Sequence, residues 1–349
     1  MDKQVVFAVA GSGKTQMITD KIDLDSKYLI LTYTIPNAKN IQSRIIKKLK
    51  MIPKGVKIYT YFSFLYSFCY KPLVQCEQPL KGINWSNNVS QLTRGKKKDS
   101  LDYYVDKHQK VYANRLSKLL IEANFVPDIA SRIEKYFDLL FIDEVQDFAA
   151  NDFNFICELS KKLTIEQKYV GDFYQHTYDT SSDGNTNKTL HDDYQKYKDK
   201  FIKAGLRIDT TSLIASWRCS KSICRFVTEN LKIDIESHRE DETEIKFIDE
   251  IEQAIDIYQN QSIVKLFYNN SIKFKGNTEN WGKSKGLDHY MDVCVVLNPN
   301  TLKYYLAKNL HELPAETRNK LYVACTRAKG NLYFIDNKLL LKAYNSLYR

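Results

Sequence analysis

Short unbroken apolar runs alternate along the chain with longer segments whose apolar residues recur every three or four positions. Residues 5–9, Val-Val-Phe-Ala-Val, form the first run. Such continuity predicts a strand buried on both faces of a parallel sheet. Residues 28–33, 58–61, 137–142 and 168–170 predict further strands. Residues 38–50 predict a helix, with Ile41, Ile45, Ile46 and Leu49 on one face. Strand and helix in alternation predict an α/β protein with a parallel sheet. The pattern changes between residues 66 and 135, where Lys96, Lys97 and Lys98 sit in a polar loop and residues 101–124 read as helix; this predicts a small helical insertion. Residues 179–187, Asp-Thr-Ser-Ser-Asp-Gly-Asn-Thr-Asn, predict a polar loop rich in turn formers. A second α/β unit begins at Thr210, with strands predicted over residues 263–267, 292–297 and 331–335. The expected domains are therefore residues 1–65 with 136–209, the insertion 66–135, and residues 210–349.

Two motifs carry chemistry. Ala8-Val9-Ala10-Gly11-Ser12-Gly13-Lys14-Thr15 follows the first strand and opens a helix. Small residues let successive backbone N–H groups of Ala10, Gly11, Ser12 and Gly13 turn toward phosphate oxygens, at a helix end whose dipole favours anions. Lys14 then reaches the outer phosphates and the Thr15 hydroxyl holds Mg²⁺. Asp143-Glu144-Val145-Gln146-Asp147 follows the 137–142 strand. Asp143 is placed to hold the same ion through water, and Glu144 to orient and deprotonate an attacking water.

The phosphate loop together with Asp-Glu-Val-Gln-Asp resembles a superfamily 1 helicase of the UvrD/Rep/PcrA type, and further segments match in family order. Residues 31–34 with Ala38 and Arg44 resemble motif Ia, and residues 60–64 the next DNA-contacting segment. Residues 171–175, continuing to Tyr178, resemble motif III, and residues 213–223 resemble motif IV. Residues 284–288 resemble motif V and residues 321–329 motif VI. The resemblance implies two tandem RecA-like parallel-sheet lobes, with ATP and Mg²⁺ at the cleft between them. It implies that Gln175 senses the γ-phosphate and that Arg218 and Arg327 are arginine fingers from the second lobe. Trp217 would stack on adenine, or else be a core residue, and Gly286 with Asp288 would contact the ribose or phosphates. Asp288 stands where the family usually has Glu. Single-stranded DNA would meet Thr34, Thr60 and Lys285 through its phosphates, with Tyr33, Phe62 and Tyr178 along the same path.

Departures from the pattern narrow these expectations. Seven residues precede Ala8, which leaves no room for the family's upstream glutamine motif, so the adenine edge is left unread. Residues 179–183 replace the family's Arg-Trp-Arg-Gly-Ala. Both accessory insertions are short. The chain thus reads as a stripped-down ATP-dependent translocase or helicase on single-stranded or tailed duplex DNA, moving 3′ to 5′. The alternative is a DNA-sensing ATPase switch that regulates a partner such as a nuclease, for example in phage defence.

Composition agrees with a folded nucleic-acid enzyme. The 349 residues carry 52 Lys and Arg against 42 Asp and Glu, a surplus of ten that suits a polyanionic partner and equally a solvated, lysine-rich surface. Aromatic residues reach 13%, chiefly Tyr and Phe, which suits stacking surfaces. The seven cysteines include no C-x-x-C pair, the six histidines show no metal-ligand spacing, and neither a leader nor a membrane span is legible. A cytoplasmic protein with free thiols is expected.

Overall fold

The computed structural model describes residues 2–75, 80–86, 88–178 and 180–348. The chain divides into two compact units. The first holds residues 1–7, 14–171 and 179–210; the second holds residues 8–13, 172–178 and 211–349. The segments 8–13 and 172–178, which the sequence reading grouped with the first lobe, therefore pack within the second unit.

The strands of the first unit's main sheet are β1 (Lys3–Phe7), β2 (Tyr28–Thr32) and β3 (Val56–Thr60), then, after two short strands of the insertion, β6 (Leu139–Asp143), β7 (Glu166–Gly171) and β8 (Arg207–Asp209). They form one parallel sheet in the order β3-β2-β6-β7-β1-β8. Every residue of β2 and β6 is buried, as unbroken apolar strands between two helical layers require. β1 ends two residues earlier than the apolar run, because Val9 leaves the sheet and donates its N–H to Leu213 O, 3.0 Å away. The helix after β2 spans Ile35–Leu49. Thr34 caps it by accepting from the Asn37 N–H, and Pro36 sits in its first turn. Its buried face is Ala38, Ile41 and Ile45; Ile46, expected on that face, is turned to solvent. One residue further along a helix rotates the side chain by about 100°.

The insertion is less helical than its sequence predicts. Residues 101–124 break into a 3₁₀ turn (Leu101–Tyr103), a strand β5 (Lys110–Tyr112) and only one α-helix, Leu116–Glu122. β5 pairs in parallel with β4 (Gly82–Asn84). The break lies at Asp106, whose carboxylate accepts from the N–H groups of His108 and Lys110, and at Gln109, which adopts a positive φ. A short polar side chain that captures nearby N–H groups competes with the helix ladder.

The second unit has its own parallel sheet. It orders β11 (Ile245–Ile248), β15 (Leu332–Asp336), β14 (Val293–Leu297), β12 (Val264–Phe267) and β13 (Thr278–Asn280) as β11-β15-β14-β12-β13, beside a two-stranded pair of β9 (Ala215–Ser216) and β10 (Glu236–Ser237). Val9 and Ala10 join its apolar core with Cys219, Ile223, Trp281, Tyr322 and Phe334. No helix among the described residues is long and apolar enough to cross a membrane.

Candidate nucleotide and nucleic-acid site

In the first unit, Lys14 opens the helix Lys14–Asp20 and is buried, with Thr15 half-buried beside it. Asp143 ends β6. Burial pushes its carboxyl up to about 7, the Glu144 charge adds to this, and the Lys14 ammonium opposes it. Its Oδ1 is buried without a hydrogen-bond partner. An unpaired carboxylate oxygen in a dry site is costly. A hard divalent cation that takes one or two carboxylates, with water and phosphate for the rest, would satisfy it. The donor set of Thr15 hydroxyl and Asp143 carboxylate therefore fits Mg²⁺. Glu144 follows in the left-handed region, at φ 53° and ψ 50°, and Gln146 Nε2 donates to its carboxylate. Non-glycine residues seldom adopt this conformation, and where they do a functional constraint is a common cause.

In the second unit, residues 8–13 lie against the segment that contains Arg218. Gly11 has φ 73°, and a Cβ there would stand 2.7 Å from Ser216 Oγ and 2.8 Å from Arg218 Cβ, so only glycine fits. Trp217 N–H donates to Gly11 O at 3.0 Å. The Ala10 N–H donates to Tyr322 Oη (2.8 Å), and Tyr322 in turn donates to Asp172 Oδ2 (3.0 Å). Asp172 caps the turn Phe173–Gln175, where Gln175 is buried. One tyrosine thus ties the glycine-rich loop, the Gln175 turn and the helix Ala315–Cys325.

Arg218 and Arg327 converge. Both guanidinium groups donate to Asp288 Oδ1, Arg327 across 3.3 Å, and Arg218 also reaches Thr326 O. Arg327 is fully buried; burial pushes it down to about 10, with Arg218 adding to that and Asp288 opposing. Trp217 is 66% exposed, which excludes the core reading, and its ring stacks on His238 at 3.9 Å and 20°. The buried tryptophan of this unit is Trp281. Gly286 is exposed at φ 82°, and Lys285 is half-buried.

The residues expected to line DNA divide between the units. Tyr33 is half-buried: its hydroxyl lies 3.1 Å from Asp152 Oδ2, and its ring stacks on Tyr61. Thr34 and Thr60 both act as helix caps. Phe62 is half-buried against Trp85. In the second unit, Tyr178 is 60% exposed. Tyr322, Asp172 and His238 went unnoticed in the sequence. Asp172 and Tyr322 each sit inside a matched motif, so that signal was available for both; His238 had none.

The family model of the UvrD/REP helicase N-terminal domain matches residues 2–214. No curated protein matches the chain. Among solved structures, the chain is similar to Arterivirus nonstructural protein 10 (helicase) in complex with DNA, with 12% identity and a TM-score of 0.50 over 97% of this chain and 62% of that one. It is likewise similar to the same helicase solved in a second structure, with 14% identity and a TM-score of 0.50 over 97% and 61%. The chain thus spans about three-fifths of the length of these structures, and the likeness is one of fold.

Proposed function

The chain belongs to the UvrD/REP helicase family, and from that premise we propose that it is an ATP-driven motor, a translocase or helicase moving 3′ to 5′ on single-stranded DNA. The observation that carries the ATPase reading is the buried, unpaired Asp143 oxygen beside Lys14 and Glu144. Lys14 supplies a fixed charge to the outer phosphates, and Thr15, with Asp143 through water, would hold Mg²⁺. The ion neutralises phosphate charge when bound. Glu144, held by Gln146, accepts the proton of the attacking water. Arg218 and Arg327 stabilise charge on the transferred group, a role typically worth ~10³–10⁵ in rate. The contact of Gly11 with Arg218 within one compact unit supports that role. Tyr322 and Asp172 give Gln175 a route by which the loop's state reaches the neighbouring turn. Trp217, backed by His238, offers one flat exposed face to a base.

The test separates binding from chemistry. Lys14→Ala removes a charge on phosphate, so nucleotide affinity and turnover should both fall. Glu144→Gln should spare affinity and abolish DNA-stimulated turnover. Equal loss of nucleotide binding in the two variants would remove Glu144 from the role of base.

A second reading, an ATPase switch that senses DNA and regulates a partner protein, is favoured by the shortness of the insertion, residues 66–135, and by the replacement of the family's Arg-Trp-Arg-Gly-Ala at residues 179–183. Turnover measured against oligonucleotide length distinguishes them. A translocase responds to length, and a switch does not.

A further inference from the structure

The β4–β5 ribbon carries an aromatic face and a row of cations that the motor described above does not use. Trp85 directly follows β4 and is 65% exposed. It lies against Phe62, with ring centroids 4.4 Å apart. Phe62 is nearly parallel to Tyr66 (6.2 Å, 8°), and Tyr66 is nearly parallel to Tyr70 (5.8 Å, 19°). This row of rings backs Trp85 and leaves much of the indole open. At the other end of β4, Lys81 donates its N–H to Gln109 O at 2.8 Å. Lys81, Lys107, His108, Gln109 and Lys110 surround a concavity of about 500 Å³. Four residues of extended chain place Lys81 and Trp85 ~13 Å apart. The one carboxylate in the turn, Asp106, is occupied by the N–H groups of His108 and Lys110 and by the Asn84 amide. Residues 66–135 hold twelve Lys and Arg against seven Asp and Glu, half of the chain's basic surplus in a fifth of its length.

We propose that this ribbon is a binding site for single-stranded DNA, in which a base stacks on Trp85 and backbone phosphates meet Lys81, Lys107 and Lys110. An exposed indole at one end of β4, with a lysine-lined concavity at the other, matches a polyanion with flat apolar bases. A protein-binding patch would instead place further apolar side chains around it and few lysines. Phe62, expected from the sequence to offer the stacking face, is covered by Trp85, so the face passes to a residue outside the matched motifs. The proposal rests on the reading of the chain as a motor on DNA and adds to it a contact made by the insertion.

The experiment uses the full chain and a labelled oligodeoxythymidine, with binding followed by fluorescence anisotropy. Stacking of this kind predicts that Trp85→Ala weakens binding by roughly tenfold, and that Trp85→Phe restores most of the loss. Joint replacement of Lys81, Lys107 and Lys110 by Ala should reduce the slope of log K against log salt by about two, at ~0.7 per phosphate contact on single strands. Oligonucleotide should also quench tryptophan emission less in Trp85→Phe than in the parent. Trp85→Ala binding as tightly as the parent overturns the proposal and leaves the motor reading intact. Unchanged DNA affinity with lost self-association would mark the face as a protein contact, which also overturns it. A parent chain that binds nucleotide but no oligonucleotide defeats the motor reading itself.

Discussion

Arg218 and Arg327 share the carboxylate of Asp288, a side chain 58% exposed, while Arg327 itself is almost wholly buried. Two guanidinium groups this close repel, and the carboxylate is what holds them together in the free protein. A γ-phosphate would compete with Asp288 for the same donors. Asp288→Asn should therefore lower the melting temperature of the nucleotide-free protein, at a cost of about 1–2 kcal/mol after allowance for solvent screening. The same variant should bind a non-hydrolysable ATP analogue several-fold more tightly by calorimetric titration, because the competitor is gone. The resemblance assigns this position a ribose or phosphate contact, and that role predicts weaker binding instead. The sign of the change decides between the two.

At the scale of elements, two buried carboxylates fasten the insertion to the rest of the first unit. Asp183 takes the Arg115 guanidinium at 2.8 Å and also accepts from Asn151, while Arg115 reaches Thr93 and lies over the Tyr103 ring. The polar run over residues 180–187 is thus an anchor as well as a turn; Asp179 lies outside the described residues. Asp152, in the first turn of the helix Ala150–Lys162, accepts from Ser117 of the insertion and meets Tyr33 at the end of β2. Burial pushes its carboxyl up to about 6, against the opposing hydrogen bonds from Ser117 and Tyr33. The folded protein therefore holds a proton that the unfolded chain releases between about pH 4 and 6. The stabilisation is fully present below about pH 4 and lost as pH rises through about 6, a swing of roughly 2–3 kcal/mol at 1.36 kcal/mol per pKa unit. Chemical denaturation of the parent and Asp152→Asn across this range should show their stability difference changing by that amount. A difference that stays flat with pH would mean that Asp152 does not titrate there.

For the whole molecule, the surplus of ten basic residues is unevenly held, with half of it in the insertion. Phosphate contacts and stacking supply affinity without reading bases. Binding to oligonucleotides of different sequence should therefore be similar at low salt and weaken together as salt rises. Titrations at two salt concentrations check this. A strong preference for one sequence that survives high salt would point to contacts with base edges and against a groove of phosphate and stacking contacts.

The sequence by itself determined the parallel strands, because a strand buried on both faces needs an unbroken apolar run, as residues 29–31 and 139–142 are. It also located the candidate site motifs, since Lys14, Asp143 and Glu144 stand at fixed offsets from the ends of β1 and β6. Tertiary structure decided what depends on residues far apart in the chain. The positive φ of Gly11 is a local property, but the steric reason for glycine there is Ser216 and Arg218, some two hundred positions away. Whether Trp217 was core or surface could not be read from its neighbours, and packing leaves it exposed on His238. Asp183 read as a turn former until Arg115 was brought to it. The helix expected over residues 101–124 failed because pairing with Gly82–Asn84, together with the Asp106 turn, outweighed helix propensity. Periodicity records which face of an element is buried, and it carries no record of what lies on the other side.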